Sequence, residues 1–125
     1  SARFKRLFGA DADESVQAKF RVVKLAGTTL SDNEIKTKVI KAFNTYFNVN
    51  NWEFGENFYF TELSSFVHQQ LSGVIGSIVI GPKTTTGNFG ALFQIKAERN
   101  EFFVNTAKVT DIEIIDKITK TTLAN

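Results

Sequence analysis

The pattern of apolar and polar positions divides this chain into a short arm and one mixed domain. Phe20-Arg21-Val22-Val23-Lys24-Leu25 is β-branched and aromatic and ends at Ala26-Gly27, the signature of a strand. Ser31-Asp32-Asn33-Glu34 then fits a capping box: the Ser31 hydroxyl accepts from the Glu34 amide while the Glu34 carboxylate reaches back to the Ser31 amide. Behind it Ile35, Val39, Phe43 and Phe47 recur at four-residue steps, with Ile40 and Tyr46 widening the stripe. This predicts a helix from Ser31 to Asn48 with Lys36, Lys38, Lys41, Asn44 and Asn48 on the opposite face. A second helix is expected from Thr61, as N-cap with Glu62 in the first turn, along the stripe Leu63, Phe66, Val67 and Leu71 to a terminator at Gly73.

Strands account for the rest. Val74 to Ile80 has little polar alternation, as expected of a strand covered on both faces. Pro82 to Asn88 reads as a loop. Phe93, Ile95 and Ala97 alternate with polar residues, Glu101 to Val104 runs back after a turn at Arg99-Asn100, and a last strand is expected over Asp111 to Ile115. The expected fold class is α+β: a mixed four- to five-stranded sheet with two helices packed on one face. Residues 1–19 precede it as an N-terminal arm or linker from a preceding domain, and 20–125 form a single α+β assembly domain. In the arm, Phe4, Leu7 and Phe8 fall at helical spacing, and Gly9 to Ser15 breaks it.

The chain has 125 residues, enough for one domain. Charge is +2, too weak to argue for nucleic acid or an acidic membrane. No cysteine is present, which removes disulfides, thiolate nucleophiles and Cys-based zinc sites. The longest apolar run is far short of the roughly 18 residues a membrane span requires. There is no methionine, not even at position 1, so the chain reads as a piece of something longer. Phenylalanine occurs 13 times, a surplus for one core of this size, and interfaces are enriched in aromatics. Phe4, Phe8, Phe89 and Phe103 lie outside the strong helix stripes or on the less apolar face of a strand. They are the expected interface residues of a homodimer.

Candidate chemistry is thin. His68, the only histidine, has Ser64 and Ser65 one helical turn before it, but a mid-helix serine lacks the strained exposure, orienting carboxylate and oxyanion hole that a triad needs. Gly81-Pro82-Lys83-Thr84-Thr85-Thr86-Gly87 has the composition of a phosphate loop in the wrong order. Asp11, Asp13 and Glu14 lack the remaining ligands of a calcium loop, and nothing in the sequence fixes Glu53 and Glu56 as paired acids. Trp52 is expected to be buried beside Phe54 or Phe58, clamping the helix-to-helix connection. Arg3, Lys5 and Arg6 interleave with Phe4, Leu7 and Phe8, so a nucleic-acid or small-ligand binding α+β module is the alternative reading, although no RNA-binding strand motif occurs. The expectation is no enzyme, no cofactor and no metal.

The order of these segments carries a resemblance. A strand, a capped helix ending in Ala42-Phe43-Asn44-Thr45-Tyr46-Phe47, then Trp52-Glu53-Phe54-Gly55-Glu56, Phe58-Tyr59-Phe60-Thr61-Glu62-Leu63 and Leu71-Ser72-Gly73-Val74-Ile75-Gly76 resembles the C-terminal part of baseplate J-like proteins. More narrowly, it is similar to the large baseplate wedge subunits of T-even-like contractile-tailed phages. The likeness spans Phe20 to Ile115. It implies a structural role in the virion, in a tail baseplate assembled in the host cytoplasm. It also implies self-association, contacts with other baseplate wedge subunits, and no catalytic residues.

Overall fold

The computed structural model describes residues 2–83 and 94–116. Its elements run β1 (Arg3–Leu7), β2 (Ala18–Lys24), α1 (Asp32–Tyr46), β3 (Phe58–Tyr59), α2 (Phe60–Gln70), β4 (Ile75–Pro82), β5 (Gln94–Ile95), β6 (Glu101–Asn105) and β7 (Ile112–Ile115). The fold is α+β, with strands in both parallel and antiparallel pairing.

Strand β2 is the spine. It pairs antiparallel with β4 and parallel with β7, giving the order β4-β2-β7. Phe20 and Val22 point to one face and are fully buried there, with Ile78, Ile80 and Ile112 beside them. Both helices rest on that side, α2 against β4 and α1 against β7.

Helix α1 begins as its sequence dictates. The Glu34 amide donates to Ser31 Oγ at 3.1 Å and the Ser31 amide donates to Glu34 Oε1 at 3.2 Å, so two amides without helical partners are satisfied together. Ile35, Val39 and Phe43 from its stripe are completely buried. Helix α2 departs from expectation at its start. It begins two residues earlier, with Tyr59 in place of Thr61 as N-cap, Phe60 as its first residue and no side-chain cap bond. Gly73 does end the segment in the left-handed region, φ 80°.

The expected sheet of four or five strands is divided. Among the described residues three strands form the central sheet, while β1 pairs parallel with β6 and β3 pairs antiparallel with β5, each as a separate two-stranded unit. The break lies at Phe8, which adopts φ 81°, a conformation rare for a bulky side chain. That reversal stops β1 from continuing into β2, and a lone bridge from Phe8 to Gln17 is what remains between them. Strand β4 also differs from expectation: its buried positions alternate with partly exposed ones, so one face only is fully covered.

The N-terminal arm is built into the domain. Residues 3–7 are a strand, not the helical turn their spacing suggested, and Leu7 and Phe8 are both fully buried. The Phe8 ring is the hub of the core, with centroids of Phe20, Phe43, Phe47 and Phe58 at 5.0, 6.1, 6.1 and 5.8 Å. Gly9 makes the junction possible. A Cβ there would lie 2.0 Å from the Thr106 carbonyl oxygen, and the Gly9 amide donates to Thr106 Oγ1 at 3.1 Å.

Candidate functional site

The parallel β1–β6 pair sets Phe4 opposite Phe102 and Arg6 opposite Val104 on one face, and Lys5 opposite Phe103 on the other. The second face is turned to the core, where Phe103 is 2% exposed and lies 6.1 Å from Trp52 and 6.3 Å from Phe58, ring to ring. The first face is turned outward. Phe4 is 55% exposed and stacks on Phe102 with centroids 5.9 Å apart.

A third ring joins from the connection between the helices. Phe54 is 56% exposed, and its centroid is 4.4 Å from that of Phe102. Local chemistry holds it there. Gly55 has φ 75° and donates its amide to the Glu101 carbonyl at 3.2 Å, while the Glu53 amide donates to Glu56 Oε1 at 3.0 Å and closes the turn. The result is a ladder Phe4–Phe102–Phe54 with its two outer rings in solvent and Phe102 half-buried between them, extended along β6 by the exposed Val104 and flanked by the exposed Arg6. Binding surfaces are enriched in exposed aromatic rings of this kind.

Of the four residues expected at an interface, Phe4 alone is placed on this face. Phe8 and Phe103 are core residues, and Phe89 lies outside the described residues. The correction has a simple cause. Phe103 points inward because β6 presents its other side to solvent, and Phe8 is swung inward by its positive φ. Phe54 and Phe102 were missed. The adjacency Phe102-Phe103 was the available signal, since neighbours on a strand must face opposite ways.

The polar candidates have structural occupations. Asp13 accepts from the hydroxyl and the amide of Ser15, at 2.7 and 2.9 Å, and these two bonds lower its pKa. His68 Nε2 lies 3.1 Å from the Gly76 carbonyl oxygen, at the seam between α2 and β4. Lys83 Nζ bonds the buried Asp111 at 2.9 Å, and the other Asp111 oxygen accepts from the Lys108 amide. Thr84, Thr85, Thr86 and Gly87 lie outside the described residues. Trp52 is half-buried; its Nε1 donates to the Tyr46 carbonyl at 2.7 Å. Its ring neighbours are Tyr46, Phe47 and Phe103, in place of the expected Phe54 or Phe58.

A shallow groove of about 650 Å³ runs along α1 past Thr37, Lys41, Asn44, Asn48 and Asn51. Its walls are hydroxyls and neutral amides around one ammonium group, with the Ile40 side chain and the alkyl parts of the others between them. Among the described residues, no three acidic or histidine side chains gather as a metal site, and no helix is long and apolar enough to cross a membrane. No protein-family model matches this chain, and no curated protein matches it.

Proposed function

We propose that this chain is a structural assembly domain of a contractile-tail baseplate wedge, and that it pairs with a copy of itself through the face of Phe4, Phe54 and Phe102. The observation that carries the reading is the exposed three-ring ladder, with two of its rings more than half in solvent. Under two-fold symmetry such a patch meets its own copy and closes without further sequence. The tail assignment rests on the order of motifs from Phe20 to Ile115. Ala42 to Phe47 ends α1, Trp52 to Glu56 forms the turn that presents Phe54, and Leu71 to Gly76 leads into β4. On this reading the domain works in the virion baseplate, after assembly in the host cytoplasm, beside other wedge subunits and without catalysis.

Light scattering on the purified chain tests the pairing. The expected mass is twice 14.0 kDa and is insensitive to salt, because the face is aromatic. Phe54→Ser combined with Phe102→Ser should return a monomer. A monomeric mass for the unaltered chain at about 100 µM, well above the micromolar range where such a face holds, would overturn it. A DNA mobility shift that vanishes at high salt would instead favour base stacking on the same rings.

A further inference from the structure

We infer that the free edge of β1 is a docking site for an extended, acidic segment of another chain, taken up as an added strand.

The ladder to β6 shows which backbone groups are committed. The Arg3 amide donates to the Asn100 carbonyl at 2.9 Å, and the Leu7 carbonyl accepts from the Thr106 amide at 3.0 Å. In a parallel pair the residues that bond the neighbour alternate with residues whose amide and carbonyl point the other way. Arg3, Lys5 and Leu7 therefore serve β6, and the N–H and C=O groups of Phe4 and Arg6 face the opposite edge. The same edge is taken at its far end, where the Phe8 amide donates to the Val16 carbonyl and the Phe8 carbonyl accepts from the Ala18 amide, both at 2.9 Å; from Phe4 to Arg6, β1 has no second strand neighbour among the described residues. Such an edge is a template for an incoming strand.

The charges on the edge select the occupant. Arg3, Lys5 and Arg6 give three cations in five residues. Arg3 sits 3.8 Å from Glu101, and Lys5 lies close enough to Asp13 to help lower its pKa. Arg6 is exposed, and among the described residues no carboxylate comes within ion-pair distance of it.

A second copy fits badly. Antiparallel registers that join the outward groups of two β1 strands oppose Lys5 to Lys5, Lys5 to Arg3, or Arg6 to Arg6, and like charges directly opposite are destabilising. Segments 84–93 and 117–125 of this chain contain no acidic residue, so they do not supply the complement. The fitting strand is acidic opposite Lys5 and Arg6 and apolar opposite Phe4. This inference rests on the assembly reading only for the kind of protein that carries the segment.

Backbone amide exchange on the intact chain is the test. The probe is the blocked peptide Thr-Val-Glu-Glu-Val-Thr at about 1 mM, since a strand this short binds weakly. In the free chain the amides of Phe4 and Arg6 should exchange fast while those of Lys5 and Leu7 are protected. The peptide should slow Phe4 and Arg6 by about tenfold or more; the same peptide with lysines for glutamates should not. Arg6→Pro removes the outward donor at a position where an edge strand tolerates proline, and should abolish the protection at Phe4. Arg6→Ala should only weaken it. Equal protection by the lysine peptide, no protection by the glutamate peptide, or slow exchange in the free chain would overturn the inference. Protection that grows with protein concentration alone would assign the edge to a second copy and overturn it too. A monomeric mass in light scattering would remove the pairing proposed above and leave this result standing.

Discussion

Phe102 and Phe103 are consecutive on β6, yet they belong to two different regions. Phe103 closes one side of a core in which Phe8, Phe20, Phe43, Phe47 and Phe58 meet ring to ring. Phe102 lies on the other side of the strand, between Phe4 and the turn that carries Phe54. The residue type is the same and the direction is opposite. Phenylalanine content therefore gives the total of buried and presented rings together, and the pleat of one strand decides which is which. Inside, rings contribute stability. Outside, they are available to a partner.

Core substitutions should cost the most. Phe8→Ala removes the hub ring and should destabilise by about 3–5 kcal/mol in urea unfolding. Gly9→Ala forces a methyl group into the Thr106 carbonyl and should also lower the midpoint strongly, although it adds one carbon only. A small loss at Gly9 would mean that the junction after Phe8 is not held as the structure has it. Phe103→Asp, at a residue expected from sequence to lie in an interface, should instead unfold the chain, because it buries a charge with no compensating partner.

The helix cap comes next. Ser31→Ala should cost about 0.5–2 kcal/mol, since it orphans the Glu34 amide. An unchanged midpoint would contradict the cap.

A smaller effect appears in the alkaline range. Burial, then the nearby Glu62 carboxylate, push the Tyr46 phenol well above its ordinary value of about 10. The unfolded chain then gives up this proton at lower pH than the folded one. The favourable contribution is complete below pH 10 and declines as pH rises above it. Tyr46→Phe should flatten that part of the stability curve relative to the parent chain; an identical alkaline slope would contradict the shift.

Local rules predicted some parts of this fold and failed at others for identifiable reasons. The capping box, the Ile35-Val39-Phe43 stripe and the Gly73 terminator depend on residues within a turn of one another, and all three stand as expected. The arm does not obey local rules. Leu7 and Phe8 are neighbours and both fully buried, which no strand alternation allows until φ reverses at Phe8. The residues on either side of Phe8 are bonded to Thr106, 97 positions from Gly9, and Phe8 itself to Val16 and Ala18, partners that the periodicity of the first ten residues could not contain. The aromatic face is non-local as well. Phe4, Phe54 and Phe102 come from three distant segments: the parallel register between β1 and β6 sets Phe4 beside Phe102, and the Gly55 amide on the Glu101 carbonyl brings Phe54 to them.

The same contrast sets the smallest expected effect. Phe54→Ser should leave the urea midpoint within about 0.5 kcal/mol of the parent, because an exposed ring contributes little to folding, while weakening the pairing seen by light scattering.

The most direct test compares the two neighbours on β6. Phe102→Ala and Phe103→Ala should be unfolded in urea at about 1 µM, low enough for a micromolar pairing to contribute little. The account predicts a loss of about 3–5 kcal/mol for Phe103→Ala and under about 1 kcal/mol for Phe102→Ala. Equal losses, or the larger loss at Phe102, would contradict the division between a core face and a presented face.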